Sequence, residues 1–118
     1  LYVLRNVTTD ASFTELFLDG TSSRITVEQN QTKAFDILLV GRSDGGQVGV
    51  YTWQGYITRF GIVTTLSPLF PTVVHEDAAA WNPQVSIGSG TLRLVVAGEV
   101  GKTIRWVANV RTAEVTFP

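Results

Sequence analysis

The fold class this sequence predicts is all-β: a single antiparallel β-sandwich, jelly-roll-like, of about eight to nine strands. Three observations predict it. Apolar residues recur at period two in stretch after stretch, which is the rhythm of half-buried strands, and helical periodicity is nearly absent. Gly, Asn, Asp and Ser punctuate those stretches at short intervals. The chain has 118 residues, a length that suits one domain and lets folding bury roughly two thirds of the surface exposed by the unfolded chain.

Taken in order, short strands are expected at Glu15 to Leu18 and Arg24 to Val27. "KAFDILLVGR" follows as a nearly continuous apolar run, the pattern of a central strand covered on both sides. After the turn "SDGG" comes "GVYTWQGYITRF", so these two runs form a hairpin. Further strands are expected at Val63 to Ser67, Thr72 to His75 and Gln84 to Ile87, with "LSPLFPT" as a rigid extended loop facing a partner, because each proline restricts itself and its predecessor. In "GKTIRWVANVRTAEV", Ile104, Trp106, Ala108 and Val110 alternate with Thr103, Arg105, Asn109 and Arg111, so the first set faces inward. "GTLRLVVAG" does the same with Leu92, Leu94 and Val96, and the short "GEVGK" link predicts a hairpin from Thr91 to Val115.

Composition excludes several function classes. The net charge is -1 and the sequence pI about 5.7, so no basic field exists to neutralise nucleic-acid phosphates or to hold an anionic membrane surface. With no cysteine there is neither a disulfide nor thiol chemistry. No run approaches the roughly twenty apolar residues that span a bilayer, so no membrane insertion is expected. The chain contains no methionine and reads as a piece of something longer.

The sole histidine sits in "VVHEDAAAW", and His75, Glu76 and Asp77 raise the question of a metal or acid/base site. Successive strand residues point to opposite faces, so His75 and Glu76 converge on one ion only if the chain bends, and no HxH, HExxH or DxDxDG spacing adds ligands, though folding could recruit Asp36 and Asp44. The competing reading is a corner, with Asp77 as N-cap of one helical turn at "AAAW" and Trp81 folded over the core edge. No metal and no cofactor are assigned. One histidine, no G-x-S-x-G elbow and no Walker-type Lys-Ser/Thr argue against hydrolase triads and phosphate cradles, so no catalytic residue is named and no enzyme is expected.

Aromatic residues offer a binding surface instead. On the strand Val50 to Phe60, Tyr51, Trp53 and Ile57 share one face, and Tyr56 and Phe60 share the other with Thr52, Gln54 and Thr58. One face lines the core, and the other suits a subunit interface or stacking on sugar rings, whose hydroxyls bond to Gln, Thr and Arg. Seven arginines against two lysines, with Arg93, Arg105 and Arg111 on outward faces, fit interface or solvated roles.

The ordered blocks "LDGTSSRITV", "KAFDILLVGR", "VHEDAAAWNPQV" and "LVVAGEVGKTIRWVANVRTAEV" resemble the C-terminal, tip domain of tailed-bacteriophage and prophage tail-fibre proteins, over nearly Leu16 to Val115. The resemblance implies a non-enzymatic receptor-binding module on the virion tail fibre, homotrimeric, that binds a host cell-surface polysaccharide or another surface receptor. Residues 1–13 are then the connection from a preceding fibre shaft. Tyr51, Trp53, Tyr56 and Trp81 are the candidate stacking residues and Arg59 the hydrogen-bonding one. The alternatives are a structural cap that trimerises the fibre through the opening segment and Phe60 to Phe70, and a carbohydrate-binding module or depolymerase fragment.

Overall fold

The computed structural model describes residues 1–67, 69 and 71–117. Among them are ten strands: β1 (Tyr2–Thr8), β2 (Phe13–Leu16), β3 (Ile25–Thr26), β4 (Gln31–Ser43), β5 (Val48–Phe60), β6 (Val63–Leu66), β7 (Thr72–Glu76), β8 (Asn82–Gly88), β9 (Thr91–Ala97) and β10 (Ile104–Thr116). They form two antiparallel sheets, a β-sandwich. The larger runs β1-β10-β4-β5-β6, with β7 also paired to β5. In the smaller, β9 is central, with β8 along one side and β2 and β3 end to end along the other.

Every strand expected from the alternation is present. The tenth is β1, which pairs residue by residue with β10 from Tyr2↔Val110 to Thr8↔Ile104. β4 and β5 make the expected hairpin, in register from Gln31↔Arg59 to Arg42↔Val48. The expected hairpin from Thr91 to Val115 is not there. β9 belongs to the smaller sheet and β10 to the larger, so the "GEVGK" link crosses between layers. Periodicity tells which face a strand buries; it does not tell which strand it pairs with.

The core lies between the sheets. Ile104, Trp106, Ala108 and Val110 from β10, Phe35, Ile37 and Leu39 from β4, and Tyr51, Trp53 and Ile57 from β5 meet Leu92, Leu94 and Val96 of β9. Trp106 is fully buried at the centre: its Nε1 donates to Thr8 Oγ1 at 3.0 Å and its ring meets Trp81 edge-on at 5.4 Å between centroids. Gly41 makes room for that indole, because a Cβ there would lie 2.6 Å from two of its ring carbons.

The outer face of the larger sheet corrects the expectation for "KAFDILLVGR". Phe35, Ile37 and Leu39 are buried, but Leu38 and Val40 are 49% and 41% exposed, because no layer covers that side. Of "LSPLFPT", Pro68 and Phe70 lie outside the described residues; Ser67 N donates to the Tyr56 carbonyl and Leu69 packs against the core.

Between β2 and β3 the chain turns on Asp19, whose Oδ1 accepts the backbone N–H groups of Thr21, Ser22 and Ser23 at 2.8 to 3.0 Å. Those bonds favour the charged form and hold the carboxyl well below its ordinary range. A depressed folded value stabilises the fold above the unfolded pKa, about 3.9, and that contribution fades as pH falls below it. Asp19→Ala should therefore lower the thermal midpoint at pH 7, and the deficit should shrink as the pH is taken from about 4 downward. Melting curves of both proteins across that range check it.

Candidate functional site

The β7–β8 corner answers the question raised by the lone histidine. Glu76 turns inward and accepts the Tyr51 hydroxyl at 3.0 Å, while His75 stays exposed with Nε2 2.7 Å from Asp77 Oδ1. Asp77 Oδ2 also accepts the Val48 backbone N–H at 2.8 Å. That bond first, and His75 second, hold the Asp77 carboxyl low. The residue thus ties the corner to the start of β5, rather than capping a helical turn as expected. Only a tight turn follows, closed by Trp81 N to the Ala78 carbonyl. Among the described residues, no three His, Asp or Glu side chains converge as metal ligands.

Three of the five candidate binding residues come together, but inside. Tyr51, Trp53 and Trp81 are 3%, 6% and 2% exposed. Tyr51 and Trp53 stack with centroids 6.3 Å apart, and Trp81 Nε1 donates to Glu99 Oε1 at 3.0 Å. Burial, then the bond to Glu76, pushes the Tyr51 phenol up, so it stays a neutral donor. The three residues border a slot of about 390 Å³ at the sandwich edge, together with Thr72, Val73, Ala79, Ala80, Asn82 and Pro83. Stacking on a sugar needs an open ring face, and these faces are covered by the core. Arg59 is separate again, half-buried with Nη1 3.4 Å from the Val27 carbonyl.

Tyr56 is the candidate that faces solvent, 45% exposed on the outer face of the larger sheet. It borders a groove of about 630 Å³, a size in the range of ligand sites. The strand register builds this groove. Arg111, Asp36 and Gln54 lie side by side across β10, β4 and β5, and Ala113, Ala34 and Tyr56 form the next row on the same face. The two alanines leave a low floor. Tyr56 stands at one end of it, and the three polar side chains line one flank.

On the core side of the same strand Gly55 makes room for its neighbours, since a Cβ there would lie 2.8 Å from Ser67 Oγ, 3.0 Å from Leu69 and 3.3 Å from the Phe35 ring. Among the described residues, no hydrogen bond or ion pair engages the side chains of Asp36, Gln54 or Arg111, although Asp36 and Arg111 are cross-strand neighbours. The arrangement therefore offers a carboxylate, an amide and a guanidinium beside an aromatic ring. Asp36, Gln54, Arg111, Ala34 and Ala113 were not singled out from the sequence as a ligand set. Only the pairing of β10 with β4 makes them neighbours, whereas the sequence pairs β10 with β9.

No family model and no curated protein matches the chain. Among solved structures it is similar to phage tailspike proteins. The Acinetobacter phage vB_ApiP_P1 tailspike is 14% identical, with 98% of this chain and 22% of that one covered, at a TM-score of 0.47. The tailspike of Acinetobacter baumannii bacteriophage Fri1, a capsular polysaccharide depolymerase, is 14% identical over 94% of this chain and 18% of its own, at 0.43. The Acinetobacter baumannii phage AM24 tailspike is 8% identical over 98% and 27%, at 0.37.

The chain thus spans 18% to 27% of those proteins, at a likeness too low to transfer residues or activity. One expectation is nevertheless overturned. "No enzyme" does not stand for a chain whose structural neighbours include a depolymerase, and it is withdrawn.

Proposed function

We propose that this chain is a receptor-binding domain of a phage tail fibre or tailspike, and that it engages host-surface polysaccharide in the Tyr56 groove. The observation that carries the reading is the groove: an exposed aromatic ring over an alanine floor, with Arg111, Asp36 and Gln54 along one side, their side chains without partners among the described residues. Sugar rings present C–H faces to aromatic planes and hydroxyls to planar polar groups, and the groove offers both kinds of contact. The domain acts as a homotrimer on the virion tail. Val3, Val7, Leu38, Val40 and Val107, each 41% to 49% exposed on the same sheet, supply the apolar surface at which subunits would meet.

Tyr56→Ala should weaken binding to purified host polysaccharide by about tenfold, the effect of losing one aromatic contact of roughly 1.4 kcal/mol. Surface plasmon resonance on the immobilised polymer measures it, and His75→Ala, away from the groove, should bind as the parent does. An unchanged affinity for Tyr56→Ala would remove the groove from the reading.

A fibre cap is the second reading, favoured by Phe60, Ile62 and Val63, which stand exposed around the β5–β6 turn at 81%, 92% and 59%. Phe70, the far end of the segment expected to pack between subunits, lies outside the described residues. The two readings part at the same experiment, because a cap binds no polysaccharide with or without Tyr56.

A further inference from the structure

The outer face of the smaller sheet holds an anomaly. Among the described residues, two buried side-chain polar atoms have no hydrogen-bond partner, Thr91 Oγ1 and Arg93 Nε, and they are neighbours. Both belong to the solvent-side row of β9, opposite Gly88 and Ser86 of β8. A Cβ on Gly88 would lie 2.6 Å from Thr91 Oγ1, 2.6 Å from Arg93 Nη2 and 2.7 Å from Arg93 Nε. The guanidinium therefore rests on the bare backbone of Gly88, beside the threonine hydroxyl.

Gly88 does not have a positive φ, so space and not backbone conformation is what a side chain there would violate. The charge is also uncompensated. Glu15, next along the sheet opposite Val95, is held by Arg24 through two bonds of 2.7 and 3.1 Å. That leaves Arg93 without an ion pair among the described residues. Buried polar groups in native proteins nearly always have a partner, and here the Thr91 hydroxyl lies beside a guanidinium whose own Nε is one of the two unsatisfied atoms, a combination that the acceptor oxygens of a ligand could satisfy.

We infer that Arg93, with Thr91 and Ser86, forms a subsite for the carboxylate of an acidic sugar residue. The inference rests on the reading of the chain as a glycan binder and adds a ligand chemistry and a second face to it. A carboxylate drawing the guanidinium off Gly88 gives Nε and Nη2 one bidentate acceptor, the geometry for which arginine is suited, and uncovers Thr91 Oγ1 for the same ligand. The surroundings favour sugar over protein. Ser86, Thr91, Thr26 and Gln84 supply hydroxyl and amide groups on this face, and none of the exposed large apolar residues comes from β3, β8 or β9.

The test is a titration of the 15N-labelled chain with trigalacturonate and with its carboxyl-reduced counterpart, following the Arg93 Nε–H signal and the amides of Ala34 and Ala113. Trigalacturonate should move the Arg93 signal saturably. Carboxyl reduction should weaken binding at least tenfold, Arg93→Gln should abolish the response at Thr91 while the remaining amide spectrum superposes, and Arg93→Lys should retain part of it. A silent Arg93, an equal response to the reduced sugar, or an equal response to acetate or sulfate at matched concentration would overturn the subsite, the last by showing an adventitious ion only. Movement at Ala34 and Ala113 with Arg93 silent leaves the groove and removes this subsite. Movement at Arg93 alone does the reverse.

Discussion

Trp106→Ala should lower the unfolding free energy by about 3–5 kcal/mol, the cost of emptying a large aromatic site in a core. Trp106 is fully buried, touches Trp81 edge-on and is bonded to Thr8, so its loss opens a cavity between the sheets and leaves a buried hydroxyl without its donor. Domains of this size are stable by about 5–15 kcal/mol in all, so a loss of that order should depress the midpoint by roughly 10–25 °C. Urea unfolding followed by circular dichroism measures it. A loss under about 1 kcal/mol would mean that the indole is not the centre of the core.

Gly41→Ala should be destabilising too, by about 1–3 kcal/mol, as expected for overpacking. The sign is what makes this informative. Replacing glycine by alanine at an unstrained site ordinarily stabilises by about 0.4–1 kcal/mol through the unfolded chain, and Gly41 has no positive φ that would forbid a side chain. Only the indole stands in the way, 2.6 Å from where the methyl carbon would be. In a Trp106→Ala background the same substitution should become neutral or stabilising, since the methyl then enters the cavity. A double-mutant cycle reads that coupling directly, and additive effects would contradict the packing described here.

How much of this was legible in advance follows from what alternation encodes. Ile104, Trp106, Ala108 and Val110 are all fully buried and Arg105, Asn109 and Arg111 are all exposed, because a pleated strand with one face in the core writes its orientation into the sequence. The same rule misled at β4. Leu38 and Val40 extend an apolar run without being buried, and a covered strand and one with an uncovered apolar face read alike.

Partner choice was not legible. A short link containing two glycines serves a hairpin and a crossing between layers equally well, so the sequence does not reveal the row Arg111–Asp36–Gln54, which exists only because β10 pairs with β4. Tyr51, Trp53 and Trp81 were attractive as binding residues for the property that makes them good core, namely large flat apolar rings. Tyr51 and Tyr56 are separated by parity alone: the odd positions of β5 turn in and the even ones turn out.

The pairing of β1 with β10 also governs the order in which this molecule can be made. Trp106 reaches Thr8 across 98 residues of chain, so during synthesis β1 must wait for β10, well over ninety residues later, before that edge is satisfied. Closing so long a loop adds only slowly growing entropy, but it cannot begin early, and topologies dominated by distant pairings fold in milliseconds to seconds. Until then the apolar stripe of β1 and the long hairpin of β4 and β5 are exposed together. A nascent chain stalled short of β10 should therefore be the species that chaperones hold and that aggregates most readily.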